Sequence, residues 1–235
     1  EGVHLLLSDS TGAERPGHSI SESEIERNLE DIVEHATGRI IVATFASLLP
    51  RIQQLIKLAD KFGRKIVIEG FSMKSNVALA QELGYLKIPK GIIIDVKNVN
   101  DYAPDKILFM CTGAQGEGGA ALMRIATREH RYMRLQEGDT VVFSSSVIPG
   151  NERTVQSLKD MIYREGAQVY HYQMMDIHAG GHAQEEDLTQ MMALMKPKFF
   201  MPIHGNYYML KLHGRLAEKF GIPKSNIVIP ENGAI

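Results

Sequence analysis

The chain has 235 residues, 44% of them hydrophobic and 23% charged, which excludes a disordered, collagen-like or coiled-coil protein and admits one large α/β domain or two smaller ones. No stretch approaches the roughly 18 consecutive apolar residues of a membrane span, and the lone Cys111 excludes an intramolecular disulfide and a cysteine-rich zinc site, so a reducing, cytoplasmic setting without membrane contact is expected. With 26 basic and 28 acidic residues the net charge is −2, so no whole-molecule field draws in a polyanion and any nucleic-acid contact has to be local.

Glu1 runs at once into Val3-His4-Leu5-Leu6-Leu7, which predicts a strand over 3–7 in a segment that begins inside a larger chain. Ser8-Asp9-Ser10-Thr11 follows, an acid leaving a sheet among hydroxyls, readable as a site residue or as a turn. Ser21 and Glu24 have the spacing of a capping box for a helix over 24–35, with Ile25, Leu29, Ile32 and Val33 on one stripe. Further strands are predicted over 39–43, 65–68, 91–94, 106–111, 140–143, 168–170, 198–201 and 226–229. Between them, helices are predicted over 48–62, 77–83, 119–126, 155–164, 185–195 and 207–220, several ending before Gly63, Gly84, Gly166 or Gly221. Most of the strands are continuously apolar, as strands covered on both faces are. The expected fold is therefore α/β, a largely parallel sheet flanked by helices, with function in loops at the carboxyl ends of strands. Tyr102-Ala103-Pro104 and Val147-Ile148-Pro149-Gly150 read as turns, too short for domain linkers.

Several loops carry candidate chemistry. Thr112-Gly113-Ala114-Gln115-Gly116-Glu117-Gly118-Gly119 precedes a helix, where backbone N–H groups can converge on an anion. Within it, Gly116-x-Gly118-x-x-Ala121 loosely fits a dinucleotide fingerprint, which keeps a nicotinamide-dependent oxidoreductase as a weaker alternative. Ser144, Ser145 and Ser146 offer three hydroxyls before the next helix, without the G-x-S-x-G surroundings of a nucleophilic serine. Arg124, Arg128, His130, Arg131 and Arg134 form the best local basic patch, readable as a nucleic-acid contact or a solvated helix end. Asp176-Ile177-His178-Ala179-Gly180-Gly181-His182 holds two histidines on a glycine-containing loop, and His204 follows the strand over 198–201. Three histidines at loops within 27 positions point to metal or phosphoryl-transfer chemistry.

Taken together, Leu7-Ser8-Asp9-Ser10-Thr11, Ala43-Thr44-Phe45-Ala46-Ser47, Cys111 to Glu117, Phe143 to Asn151, Asp176 to His182 and Lys196 to Gly205 resemble ribonuclease J, of the β-CASP group of the metallo-β-lactamase superfamily. The resemblance runs essentially end to end. It implies hydrolysis of RNA phosphodiesters, as a 5′-to-3′ exonuclease and an endonuclease, at a two-metal site that uses zinc and also manganese. Matched motif by motif, it implies that Asp9 orients His182, a proton donor at the scissile phosphate, and that His204 ligates a metal. His178, Ser144, Ser145 and Ser146 resemble residues that hold RNA phosphates, a role the glycine loop extends to Gly113 and Gly116. Asp9 beside His182 would raise that imidazole's pKa and so separate its task from that of a neutral, metal-binding His204.

The resemblance also implies a layout: 1–16 a piece of a metallo-β-lactamase αββα domain, 17–176 the β-CASP domain, and 177–235 the returning piece. The family's H-x-H-x-D-H motif, a further metal-binding histidine and the aspartate of its G-D-F motif do not occur in this sequence, nor does its C-terminal domain. Asn206 stands where an acid commonly follows H-G. With His204 as the one expected ligand present, the chain is expected to grip RNA and to be inactive by itself. The alternative from another class is a non-catalytic RNA-binding module; RNA is the expected partner in both readings, and a homo-oligomer is compatible with either.

Overall fold

The structure, a computed structural model, describes residues 2–148, 150–172, 174–178 and 180–233; Pro149 of the turn over 147–150 and Ala179 of the histidine loop lie outside them. In chain order the elements are β1 (Leu5–Asp9), α1 (Glu22–His35), β2 (Ile40–Ala43), α2 (Leu49–Lys61), β3 (Lys65–Glu69), α3 (Phe71–Glu82) and β4 (Ile107–Cys111). They continue with α4 (Ala121–Ala126), β5 (Thr140–Phe143), α5 (Glu152–Arg164), β6 (Gln168–His171), α6 (Glu185–Met195), β7 (Phe199–Ile203) and α7 (Tyr207–Phe220). The chain divides into two compact units, one of Glu1–Ile20 with Ala179–Ile235 and one of Ser21–His178.

The larger unit is built on a five-stranded sheet in the order β3-β4-β2-β5-β6, every pair parallel. Its three inner strands are buried along their whole length, which explains why they read as unbroken apolar runs. Helix α1 starts where Ser21 Oγ accepts the Glu24 amide at 3.2 Å, and it buries the expected stripe of Ile25, Leu29, Ile32 and Val33. Each such fully buried aliphatic side chain contributes about 1.5–3 kcal/mol. The chain leaves β2 toward β3 on one side and β5 toward β6 on the other. The loops after β2 and β5 therefore flank the point where strand order reverses, and Thr44 Oγ1 joins them by donating to the Ser144 carbonyl at 3.0 Å. On the opposite end a buried ion pair ties the start of β2 to β5: Arg39 Nε and Nη2 donate to the two Asp139 oxygens at 2.9 and 2.6 Å.

The smaller unit pairs β1 with β7 in parallel, from Leu5 opposite Phe199 to Asp9 opposite Ile203. One sheet face packs Leu6 and Phe200 against Leu188 and Met192 of α6 and Leu216 and Ala217 of α7. The alternate residues leave Leu5 and Leu7 exposed at 41% and 49%, an apolar face without a covering layer among the described residues.

Two predicted strands are corrected. The segment 91–94 touches β3 at one bridge, Ile66 with Ile93, because the chain turns at once at Asp95, whose side chain accepts the Lys97 amide and opens a 3-10 helix. The segment 226–229 likewise makes one bridge, Phe200 with Ile227, between a 3-10 turn and Pro230. Helix α3 starts six residues earlier than the pattern over 77–83 suggests, since polar Ser72, Lys74 and Asn76 alternate with Met73, whose burial anchors the first turn.

Candidate active site

Parallel pairing of β1 with β7 fixes the site. Asp9 ends one strand opposite Ile203, the end of the other, so Asp9 and His204 leave the sheet side by side at its carboxyl edge. His182 comes from the loop before α6. Its Nδ1 lies 2.9 Å from Asp9 Oδ2, and His204 Nε2 lies 3.9 Å from the same oxygen. The two imidazoles stack with centroids 5.8 Å apart and planes 20° apart. One ligand atom from each of the three side chains lies within 4.8 Å of the others.

An ionised carboxylate only accepts hydrogen bonds, so the bond to Asp9 puts a proton on His182 Nδ1 and leaves Nε2 as the nitrogen facing other partners. Partial burial pushes the Asp9 carboxyl up, but the Thr11 amide at 2.7 Å and the His182 ring outweigh it and hold the group below its ordinary value. The loop after β7 is tightly bent: His204 has φ +52° and Gly205 φ +145°. The φ of Gly205 favours glycine, and a Cβ there would also make a tight 3.2 Å contact with Met209 Sδ.

The donor set fits a divalent cation. Two imidazoles and a carboxylate are ligand types of zinc sites, and His204 Nε2, at 3.9 Å from Asp9, is the imidazole nitrogen not taken up by a hydrogen bond to that carboxylate. Side-chain exposures of 40%, 42% and 67% leave the cluster open on one side. The single ligand expected from the sequence is thus joined by two further donor-bearing groups.

The remaining predicted site residues lie in the larger unit and have internal partners. Ser144 is fully buried, its hydroxyl donating to the Ile177 carbonyl at 2.8 Å and accepting from the buried Arg51. Ser145 is buried and accepts from Gln115 Nε2 at 3.3 Å, while the Ser146 carbonyl accepts the same nitrogen at 2.7 Å. Gln115 thereby stitches the glycine loop to the serine loop. Gly116 is a packing glycine: a Cβ there would meet Thr154 Cγ2 at 2.7 Å, and one at Gly113 would meet Ala120 Cβ at 2.9 Å. That close approach is taken up by the chain itself, which removes the room a pyrophosphate would need in the dinucleotide reading. His178 is half-buried, edge-on to Phe45, and its Nδ1 is buried with no partner among the described residues. Burial, reinforced by Arg51, pushes its pKa down to about 4, so it is neutral at pH 7 and can meet a phosphate as a hydrogen-bonding group but not as a cation. In the basic patch, His130 is buried at 3% exposure and Arg128 is paired with Glu165, leaving Arg124 and Arg131 among its exposed charges.

Sequence reasoning passed over His213, which is fully buried on α7 with Nδ1 3.0 Å from Ser10 Oγ. Its signal was an imidazole in an apolar stripe, since Leu216 and Ala217 follow it at helical spacing.

Two family models match the chain: "Ribonuclease J, beta-CASP domain" over residues 37–162, more than half of the sequence, and "Zn-dependent metallo-hydrolase RNA specificity domain" over 167–230. The chain belongs to the ribonuclease J family. It is 47% identical to Ribonuclease J 1 of Streptococcus pyogenes over 235 residues, all of this chain and 42% of that protein. It is 42% identical to Ribonuclease J of Thermus thermophilus and 40% identical to Ribonuclease J2 of Bacillus subtilis, covering 41% and 42% of those proteins. The chain thus spans about two fifths of the length of these ribonuclease J relatives. No helix among the described residues is long and apolar enough to cross a membrane.

Proposed function

We propose that this chain is the RNA-gripping part of a metal-dependent ribonuclease J that hydrolyses RNA phosphodiesters, as exonuclease and endonuclease, and that Asp9, His182 and His204 form its share of the catalytic centre. The observation that carries the reading is the convergence of these three side chains within 4.8 Å in a member of this family. The smaller unit corresponds in this reading to two pieces of the metallo-β-lactamase domain, and the larger to the β-CASP domain. The uncovered apolar face of β1 supports the first half of that assignment, because parallel sheets are stable when both faces are covered.

His204 would hold a divalent ion, zinc or manganese, through Nε2, the nitrogen nearer Asp9. Such an ion supplies positive charge for the phosphoryl oxygens and lowers the pKa of water. His182, held by Asp9 through Nδ1, keeps Nε2 free to carry a proton toward the leaving 3′ oxygen. Asp9 fixes that ring's orientation and tautomer. In the larger unit, contact with RNA phosphates falls to Ser146 and to the part-exposed ring of His178, whereas Ser144, Ser145, Gly113 and Gly116 hold the shape of the two loops. Among the described residues the donor set stops at three groups, one of them engaged by His182 and Thr11, so the 235-residue chain alone is expected to bind RNA without cutting it.

The test is a pair of substitutions in the full-length protein. His182→Ala should lower turnover by about 10² to 10⁴ with metal content retained, whereas His204→Ala should lower metal content itself. Full metal occupancy after His204→Ala rejects the ligand role. RNA binding with no hydrolysis by the unsubstituted full-length protein would favour the non-catalytic module instead.

A further inference from the structure

His213 takes no part in the cluster described above, yet a chain of hydrogen bonds leads from it to both strand ends that carry the cluster. The ring is fully buried on α7, edge-on to Phe200 with centroids 4.8 Å apart. Its Nδ1 lies 3.0 Å from Ser10 Oγ, and that hydroxyl donates to the Ile203 carbonyl at 2.9 Å. A serine hydroxyl has one proton. With that proton given to Ile203, Oγ accepts from His213, which places the ring proton on Nδ1 and leaves Nε2 a bare lone pair without a partner among the described residues. The other tautomer would bury an unpaired N–H and take the hydroxyl proton away from Ile203, the costlier arrangement. Burial pushes the imidazole's pKa down to about 4, so the ring is neutral at pH 7.

Ser10 is the residue after Asp9, and Ile203 is the residue before His204. The Ser10 amide also donates to the His204 carbonyl, at 3.1 Å. One buried serine therefore clasps both strand ends, by side chain and by backbone, at the point where His204 adopts a left-handed conformation that a residue with a Cβ does not favour.

We propose that His213 is a positioning residue: its Nδ1–H fixes the Ser10 hydroxyl, and Ser10 in turn locks the ends of β1 and β7 so that His204 presents Nε2 to a divalent cation beside the Asp9–His182 pair. The proposal rests on the metal reading of that cluster.

Two measurements on the full-length protein separate the clasp from the metal reading: hydrogen exchange of the Ser10 amide, and titration with cobalt(II) followed by its visible spectrum. His213→Leu and Ser10→Ala should weaken cobalt binding about 10- to 100-fold, the usual effect of removing a group that orients a ligand. Both should also speed Ser10 amide exchange while leaving far-UV circular dichroism unchanged. His213→Asn, whose side-chain amide can donate from nearly the position of Nδ1, should restore both readouts, a rescue that loss of core packing alone would not show. Nitrogen-15 NMR should find the ring proton on Nδ1 and the ring neutral at pH 7. Unchanged cobalt affinity and unchanged Ser10 exchange in Ser10→Ala, or a ring protonated on Nε2, overturns the proposal even where His213→Leu fails to fold. If the unsubstituted full-length protein binds no cobalt, the metal reading fails, while faster Ser10 exchange in the variants still supports the clasp.

Discussion

Buried His213 couples the acid stability of the smaller unit to the protonation of one ring. In an unfolded chain the imidazole titrates at its ordinary value of 6.5; in the native structure burial pushes it down to about 4, with Asp9 pulling weakly the other way. Between those two values the unfolded chain holds a proton that the folded one refuses. Stability from this group is therefore fully present above pH 6.5 and is lost as pH falls toward about 4. At about 1.4 kcal/mol per pH unit, the loss is about 2 kcal/mol at pH 5 and about 3.5 kcal/mol at full effect, below pH 4. His213→Asn removes the titration while keeping a donor for Ser10, so the difference between the two proteins isolates the histidine from every other group that titrates in this range. The chain has no tryptophan, so unfolding in urea is best followed by far-UV circular dichroism from pH 8 to pH 5, with amide exchange in β7 reporting on the smaller unit. The unsubstituted chain should lose about 2 kcal/mol more than His213→Asn on going from pH 8 to pH 5. Parallel pH profiles for the two proteins would refute the reasoning.

The buried pair of Arg39 and Asp139 gives a second prediction: Asp139→Ala should cost about 3–5 kcal/mol by stranding a buried guanidinium, whereas the double change Arg39→Met with Asp139→Leu should come close to neutral in denaturant unfolding. Gly205→Ala should destabilise by about 1–3 kcal/mol and weaken metal binding at His204, because both the φ of +145° and the contact with Met209 oppose a Cβ; thermal melts and cobalt titration check both effects. RNA binding should weaken with salt at a slope of about −0.7 per neutralised phosphate, and replacing exposed Arg124 and Arg131 by alanine should flatten that slope by about 1.4; an unchanged slope in filter-binding assays removes the patch from the interface.

Much of the candidate site was legible in the sequence. Asp9 ends a strand and His182 and His204 stand in loops, all places where chemistry-bearing residues are expected, and their motifs carry the family resemblance along the whole chain. The serine and glycine loops show how residue type can mislead. A hydroxyl cluster before a helix has the same sequence signature whether it meets a phosphate or, as with Ser144, an internal carbonyl and a buried arginine. Gly116 reads as a phosphate glycine, yet Thr154, 38 positions away, is the neighbour that requires it.

Short-range pattern determined the alternation of helices and strands, because capping and periodic burial are set by residues within a few positions of one another. Which strands lie side by side depends on contacts between distant residues, and only the tertiary structure decided that. The same holds for the pairing that sets Asp9 beside His204 and for the bond from buried His213 through Ser10 to Ile203, 193 positions along the chain. Local propensity carries no information about a partner so far away; packing of the apolar faces chooses it.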